Sequence, residues 1–258
     1  MNELHGDGVH IELIGHVAVI EIDRPPNNFF DVTLIETLAG IFERLSSDPR
    51  CRAIVLASRG KVFCAGADFS ARKDQPRGGG GGALYRAAAR LFECDKPIVA
   101  AVQGPAIGGG LGLALVADFR IVSPEARFAV NFVKLGIHPG FGITATLPRV
   151  VGRQNANLML FTGQRIKADE ALAMGLADRQ APQEQLRASA IALAAEIAEG
   201  APLAVKATRR TMRRGLAELV RAQTEHELAE QTRLFATADY REGVKAVAER
   251  RPGRFIGA

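Results

Sequence analysis

The sequence has no tryptophan and two tyrosines, and aromatic residues make up 6% of its 258 positions. Proteins that bind single-stranded nucleic acid stack the bases on aromatic side chains that alternate with basic ones. That arrangement is missing, so RNA binding is only a secondary hypothesis. The formal charge of +5 comes mostly from arginine and is densest at 209–214. Such a run is typical of a solvated helix face, although it also suits a polyphosphate ligand.

Cysteine is scarce, and long apolar runs are lacking. The three cysteines, Cys51, Cys64 and Cys94, are odd in number and lack the spacing of a metal site, which predicts free thiols in a reducing compartment. Every apolar stretch is interrupted by Arg, Asp, Lys or Gly before it reaches the length of a membrane span. Because the first residues also lack the layout of a signal peptide, we expect a soluble cytoplasmic protein with no membrane contact.

Several motifs of catalysis and nucleotide binding are absent as well. No glycine turn is followed by Lys-Ser or Lys-Thr, no Gly-x-Ser-x-Gly elbow occurs, and no histidine pair has zinc spacing. Residues 140–145 formally match G-x-G-x-x-A, but they lie after a turn-rich stretch with no acidic residue at the expected offset. The sequence therefore indicates no metal or redox cofactor.

The hydrophobic pattern predicts a mixed α/β chain. A hairpin is expected first, then a helix, then apolar runs typical of strands buried on both faces. The predicted strands are 9–14, 17–22, 53–57, 97–102, 119–122 and 127–130, and helical spacing covers 33–45, 155–161, 168–174, 183–199, 202–236 and 240–251. The glycine-rich segment 76–83 is expected to be mobile, either as a surface insertion or as an active-site flap, within a loop that spans 72–84.

Two of the apolar runs end in small residues. The first run ends in 63–68 (FCAGAD) and the second in 106–114 (AIGGGLGLA), and each is followed by a helical pattern. Small residues allow a backbone N–H to approach a ligand closely, so both turns could direct a donor at one oxygen atom. Two such donors form an oxyanion hole.

These motifs and several others, in order, resemble the crotonase (enoyl-CoA hydratase/isomerase) superfamily along nearly the whole chain. The resemblance rests on the segments 63–68, 96–104 with 108–110, 117–118, 135–140, 162–163 with 168–171, 175–176, 241–244 and 250–251. It implies an α/β fold with a crotonase-like ββα-spiral core at 1–195 and a C-terminal helical oligomerisation region at 196–258. It also implies trimers or dimers of trimers.

The resemblance further implies an acyl-CoA thioester as substrate, with coenzyme A as part of that substrate and no separate cofactor. The backbone N–H groups of Ala67 and Gly109 would hold the thioester carbonyl oxygen and stabilise an enolate. The backbones of Ala65, Asp68 and Phe69 would line the CoA pocket. On residue type alone we expect the Asp68 side chain to cap a helix, Cys64 to pack and Asp118 to be structural.

One departure from the family bears on the reaction. The hydratases of the family use two glutamates as general acid and base, and the positions that match them here are Gly112 and Phe132, neither of which can transfer a proton. We therefore expect no conventional hydration, and an acyl pocket made apolar by Gly112, Phe132 and Phe141. His138 is the first candidate acid/base, with Tyr85, Asn131 and Asp31 as further polar candidates. The sequence is also compatible with a reaction that needs no protein base, and with a catalytically silent acyl-CoA-binding protein.

Overall fold

The computed structural model describes residues 2–5, 8–67 and 81–258. The strands in this part of the chain are β1 (Asn2–His5), β2 (Val9–Ile14), β3 (Val17–Ile22), β4 (Ala53–Ser58), β5 (Ile98–Val102), β6 (Pro105–Ile107), β7 (Phe119–Val122), β8 (Arg127–Ala129), β9 (Arg165–Lys167) and β10 (Arg179–Gln180). The helices are α1 (Val32–Ser47), α2 (Gly81–Leu91), α3 (Gly109–Ala114), α4 (Ile143–Thr162), α5 (Ala168–Ala173), α6 (Leu186–Glu199), α7 (Pro202–Met212), α8 (Leu216–Leu234) and α9 (Ala238–Ala248). Short 3₁₀ turns occur at Asn131–Leu135 and Gln183–Gln185.

The larger sheet has the strand order β1-β2-β3-β4-β5-β7-β10 among the described residues. β1, β2 and β3 are antiparallel, and the predicted hairpin is present with Ile14 opposite Val17. From β3 onward the neighbours are parallel, with Val19 opposite Val55. Every residue of β4 and β5 is buried, as their apolar runs predict.

Alternate side chains of this sheet enter two apolar cores. Ile20, Ile54 and Leu56 face the main core, which α1, α2 and α3 cover. Val19 and Val55 point to the opposite face, where α6 packs. The sheet is thus covered on both sides, and the carboxyl ends of β4 and β5 lead to the two small-residue turns.

A second sheet of three strands, β6-β8-β9, supports the glycine turn before α3. β6 is parallel to β8, with Ala106 opposite Phe128, and β8 is antiparallel to β9. Short strands of this kind carry too few residues to show a periodic pattern, and the sequence predicted only β8 of the three, at 127–130.

The helical region differs from the predicted one in three places. The predicted helix 202–236 is two helices, because the chain turns at 213–215, where Gly215 has φ +76°. α4 begins at Ile143, well before the predicted 155, and it is kinked at Gly152. Gly81 and Gly82, which belong to the glycine-rich run 76–83, begin α2.

Residues 68–80 lie outside the described residues. Most of the segment 72–84, which was expected to be a mobile loop, therefore lies outside them too.

The last two helices pack on the body of the same chain. α8 contacts α2 and α4, and α9 contacts the turn Asn131–Leu135. The oligomerisation role of 196–258 stays a prediction.

Candidate active site

The two small-residue turns lie in direct contact. An isolated parallel bridge joins Cys64 to Ala106, and the Ile107 N–H donates to the Cys64 carbonyl at 3.0 Å. Gly66, with φ +85°, faces the second turn so closely that a Cβ there would lie 2.9 Å from the Ile107 oxygen and 3.4 Å from the Gly109 nitrogen. The first turn therefore packs against the second with no side chain between them, which requires glycine at position 66.

The predicted donors, Ala67 and Gly109, are carried on these adjoining turns. The flanking backbone groups are engaged, since Phe30 N donates to the Gly66 oxygen at 2.9 Å and Gly108 N donates to the Ala129 oxygen at 2.8 Å. Within residues 2–5, 8–67 and 81–258, no protein group accepts a hydrogen bond from Ala67 N or Gly109 N. An oxyanion hole requires two unengaged backbone N–H groups, so the donor role of Ala67 and Gly109 stays a prediction.

Three phenylalanine rings surround the glycine turn. Phe30 contacts Gly109, where a Cβ would collide with the tip of its ring, and Phe132 lies 3.6 Å from the corresponding position of Gly108. The rings of Phe30 and Phe141 are 5.2 Å apart between centroids and tilted by 43°. The exposed fractions of Phe30, Phe132 and Phe141 are 4%, 6% and 1%. The surroundings of this glycine turn are therefore apolar, and the acyl-pocket role of Phe132 and Phe141 stays a prediction.

Gly112 is closed off by Phe141. A Cβ at Gly112 would lie 2.7 Å from Cδ1, 2.9 Å from Cβ and 3.0 Å from Cγ of Phe141. Atoms this close to the Phe141 backbone cannot move aside without moving the chain. The structure therefore has no room for a larger side chain at residue 112 while Phe141 stays in place.

Phe141 adopts an unusual backbone conformation. Its φ is +64°, in the left-handed region, and Gly142 beside it has φ +71°. For a bulky residue this conformation costs roughly 1–3 kcal/mol and persists only where surrounding contacts enforce it.

Two sets of hydrogen bonds from α8 hold the turn that contains Phe141. Glu227 accepts from Gly142 N at 2.7 Å, from Thr144 N at 3.1 Å and from the Thr144 hydroxyl at 2.6 Å. Gln231 donates to the His138 carbonyl at 2.8 Å and accepts from the Tyr85 hydroxyl at 2.7 Å. The turn is thus tied to α8 on both sides of the phenyl ring.

Glu227 is fully buried, and burial raises its pKa to about 7, although the hydrogen bonds from Gly142 and Thr144 oppose this shift. The carboxyl group also lies at the start of α4, where helix N–H groups need acceptors.

His138 lies at the edge of this turn and is half-buried. Its Nδ1 is 2.8 Å from the Pro139 carbonyl, which places a proton on Nδ1 and leaves Nε2 as the basic atom. The ring meets His226 edge-on, with centroids 5.9 Å apart. These contacts place His138 beside α8, and its acid/base role stays a prediction.

Of the predicted CoA-pocket residues, Asp68 and Phe69 lie outside the described residues. Ala65 is partly exposed, and its N–H donates to the Asn27 carbonyl at 3.0 Å. Cys64 is fully buried, as expected for a packing residue, and burial raises its thiol pKa to about 12. All three cysteines are free, as expected, and all three are buried.

Among the remaining polar candidates, Asp31 has structural partners. Asp31 caps α1 by accepting from Leu34 N at 2.8 Å, and it pairs with Arg24 at 2.9 Å. Partial burial opposes these interactions, yet the pKa of Asp31 is lowered. Asn131 begins the 3₁₀ turn next to Gly108.

The basic run 209–214 is largely engaged within the chain. Arg209 and Arg213 each donate to Asp118 at 2.8 Å, and Arg210 pairs with Asp95 at 2.7 Å. Asp118 also accepts from Ile98 N at 2.8 Å, as expected for a structural residue. Burial acts to raise its pKa, but the two guanidinium groups outweigh burial and lower it. These ion pairs join α7 to the core and do not favour nucleic-acid binding.

Sequence reasoning missed Phe30, Glu227 and Gln231. Phe30 follows a loop and has no pattern of its own, and the two polar residues of α8 lie within a segment whose helical spacing is its main signal. The sequence did hold one signal for Glu227, because the spacing of Val220, Thr224, Glu227 and Gln231 places them on one helix face. In the structure all four are buried.

No single helix among the described residues has both the length and the apolar composition to cross a membrane. The segments 183–199 and 202–212 meet that criterion only when taken together, and they are bent by 107°.

Known proteins resemble this chain over almost its full length. The family described as "Enoyl-CoA hydratase/isomerase" matches residues 12–257. A short-chain-enoyl-CoA hydratase from Clostridium acetobutylicum is 36% identical over 95% of this chain and 96% of its own length. A carnitinyl-CoA dehydratase from Proteus mirabilis is 35% identical over 96% of this chain and 98% of its own length.

The fold is that of a solved enoyl-CoA hydratase/isomerase from Pseudoalteromonas atlantica T6c, with a TM-score of 0.87, 33% identity, and coverage of 96% of this chain and 100% of the other. This likeness confirms the predicted α/β crotonase-like fold. With its apposed glycine turns and these relatives, the chain belongs to the enoyl-CoA hydratase/isomerase family, the crotonase superfamily of enzymes.

Proposed function

We propose that the protein binds an acyl-CoA thioester, holds its carbonyl oxygen between the N–H groups of Ala67 and Gly109, and stabilises the enolate. The observation that carries this proposal is the contact of Gly66 with the Gly109 turn, which brings two unengaged backbone donors to neighbouring positions. Negative charge collects on the thioester oxygen as an enolate forms. Fixed donors in a site that excludes water stabilise that charge without solvent reorganisation.

The reaction we propose is not conventional hydration by two carboxylates. Gly112 and Phe132 carry no titratable group, and the Phe141 ring fills the space beside Gly112. A water molecule held between two glutamates therefore has no counterpart at these positions. In one alternative, His138 transfers the proton through Nε2. In the other, the reaction needs no protein base.

The acyl group is expected to be apolar. Phe30, Phe132 and Phe141 pack around the turn that carries Gly109, and each ring is almost fully buried. An acyl chain would pack along these rings, where a charged group would lose its hydration without compensation.

A catalytically silent acyl-CoA-binding protein is the second candidate. The absence of a titratable side chain at residues 112 and 132 favours it directly. Both candidates predict thioester binding through the hole, and they differ only in turnover.

The test is a panel of CoA thioesters that includes crotonyl-CoA, with binding measured by calorimetry and turnover by product analysis. Turnover of another thioester with slow crotonyl-CoA hydration is the expected result. Rapid crotonyl-CoA hydration would contradict the role assigned to residues 112 and 132, and binding without any turnover would select the silent candidate.

A pair of matched variants separates the hole from general stability. Gly66→Ala places a Cβ against the Gly109 turn, whereas Gly60→Ala meets open space at a similar φ of +78°. Both variants have the same backbone penalty, but only the first disturbs the hole. We expect Gly66→Ala to lower kcat/KM, or the binding constant of a silent protein, by roughly a hundredfold relative to Gly60→Ala. Equal effects of the two substitutions would refute the hole.

A further inference from the structure

The turn from His138 to Thr144 has polar anchors that the proposed chemistry does not use. Glu227, Gln231 and Tyr85 lie on α8 and α2, and they contact residues of the turn on either side of Phe141. We propose that Glu227 is a positioning residue that fixes the left-handed 141–142 turn, so that α8 sets the size of the acyl pocket through the ring of Phe141. This inference rests on the proposed acyl-CoA site.

The first step of the argument is that the turn needs an external hold. Phe141 and Gly142 are both in the left-handed region, with φ +64° and +71°. A bulky residue does not keep this conformation on its own. The Gly142 N–H points to Glu227 at 2.7 Å, so the carboxylate holds the residue that follows the ring directly.

The second step is that Glu227 is the principal acceptor at this end of α4. It binds Gly142 N, Thr144 N and the Thr144 hydroxyl together; Glu227 and Gly142 are buried and Thr144 is half-buried. Val220 closes the site from the same helix, since a Cβ at Gly142 would lie 2.8 Å from its Cγ1. Removing the carboxylate would leave the buried Gly142 N–H without an acceptor, and the turn would have to rearrange to satisfy it.

The third step connects the turn to the pocket. The Phe141 ring contacts Gly112 and stacks at a tilt on Phe30, which itself contacts Gly109. A shift of the 141–142 backbone therefore moves the aromatic wall beside the proposed hole. The change expected is in acyl selectivity, because the hole donors lie on other segments.

The experiment compares Glu227→Ala and Glu227→Gln with Glu230→Gln. Glu230 lies one turn further along α8 and pairs with Arg233 at 2.8 Å, so it controls for loss of a carboxylate from this helix. Amide hydrogen exchange at Gly142 and Thr144 is measured first, in the free protein. We expect exchange there to accelerate roughly tenfold or more in Glu227→Ala relative to α1 amides, with a smaller effect in Glu227→Gln, which keeps one acceptor oxygen.

Acyl selectivity is the second readout, as the ratio of kcat/KM, or of binding constants, for a longer and a shorter saturated acyl-CoA. The ratio is expected to rise several-fold in Glu227→Ala and in Phe141→Ala, and the double variant should show no further rise because both act through one ring. Unchanged exchange at Gly142 and Thr144, or a ratio equal to that of Glu230→Gln, would overturn the inference.

The two proposals fail in different ways. If the unaltered protein binds no acyl-CoA, the proposed function fails, while hydrogen exchange and a crystal structure of Glu227→Gln still report whether Phe141 has moved. If Glu227→Ala does not fold, the same two measurements on Glu227→Gln decide the matter. A Phe141 ring that stays in place in that crystal structure, with unchanged exchange, rejects the positioning role.

Discussion

The contact between Gly112 and Phe141 makes a sharp prediction about stability. Gly112→Ala places a methyl group 2.7–3.0 Å from three atoms of Phe141, a side chain that is 1% exposed and cannot swing away. Such overpacking costs about 1–3 kcal/mol, whereas alanine in place of glycine within α3 returns up to about 1 kcal/mol. The variant alone should therefore lose about 1–2 kcal/mol of unfolding free energy.

The effect of Gly112→Ala on the unfolding free energy should change sign once the Phe141 ring is removed. In a Phe141→Gly background the three atoms are absent, so Gly112→Ala should be neutral or stabilise by up to about 1 kcal/mol. The coupling energy between the two positions is then roughly 1–3 kcal/mol, measured from urea unfolding of the four proteins in the cycle. Effects that add to within about 0.5 kcal/mol would refute the claim that Phe141 occupies the space beside residue 112.

Three further predictions concern titratable groups. The pKa of Glu227 is raised from 4.5 to about 7, so the unfolding free energy should fall by up to about 3 kcal/mol as pH rises through that range and should level off above it. Urea unfolding at a series of pH values measures this slope, which should be absent in Glu227→Gln. Asp118→Asn leaves the guanidinium groups of Arg209 in α7 and of Arg213 just after it without their carboxylate, so thermal unfolding should show a loss of about 3–5 kcal/mol, against at most about 1 kcal/mol for Asp95→Asn near the surface. His138→Ala should abolish turnover while thioester binding, followed by calorimetry, is retained; unchanged turnover would eliminate the histidine as the acid/base.

Much of the fold could be predicted because its signals are local. The strands β3, β4 and β5 are apolar runs of ordinary length, and α1 shows regular apolar spacing from Leu34 to Leu45. The three-stranded sheet could not be predicted as a unit, because β6 and β9 have three residues each and gain their hydrogen bonds from distant segments.

The candidate site divides along the same line. The glycines at 66 and 109 indicate from the sequence that two backbone segments approach closely, and in the structure these two turns are in contact. The ring of Phe30 beside Gly109 and the carboxylate of Glu227 beneath Gly142 come from segments distant in sequence, and no spacing rule joins them. Tertiary packing decides such contacts, so a single sequence does not reveal them.

The bridges that join residue 64 to 106 and residue 30 to 67 have a consequence for how binding can be detected. The two proposed donors would meet only when three segments separated by some forty positions have docked, so a partly unfolded chain would lack the proposed hole. A ligand that is hydrogen-bonded by both donors would bind only to the native state and not to the unfolded chain. By mass action it would add about 2.7 kcal/mol to the unfolding free energy at a hundred times its dissociation constant. A simple melting scan across thioesters can therefore find the ligand before any reaction is known.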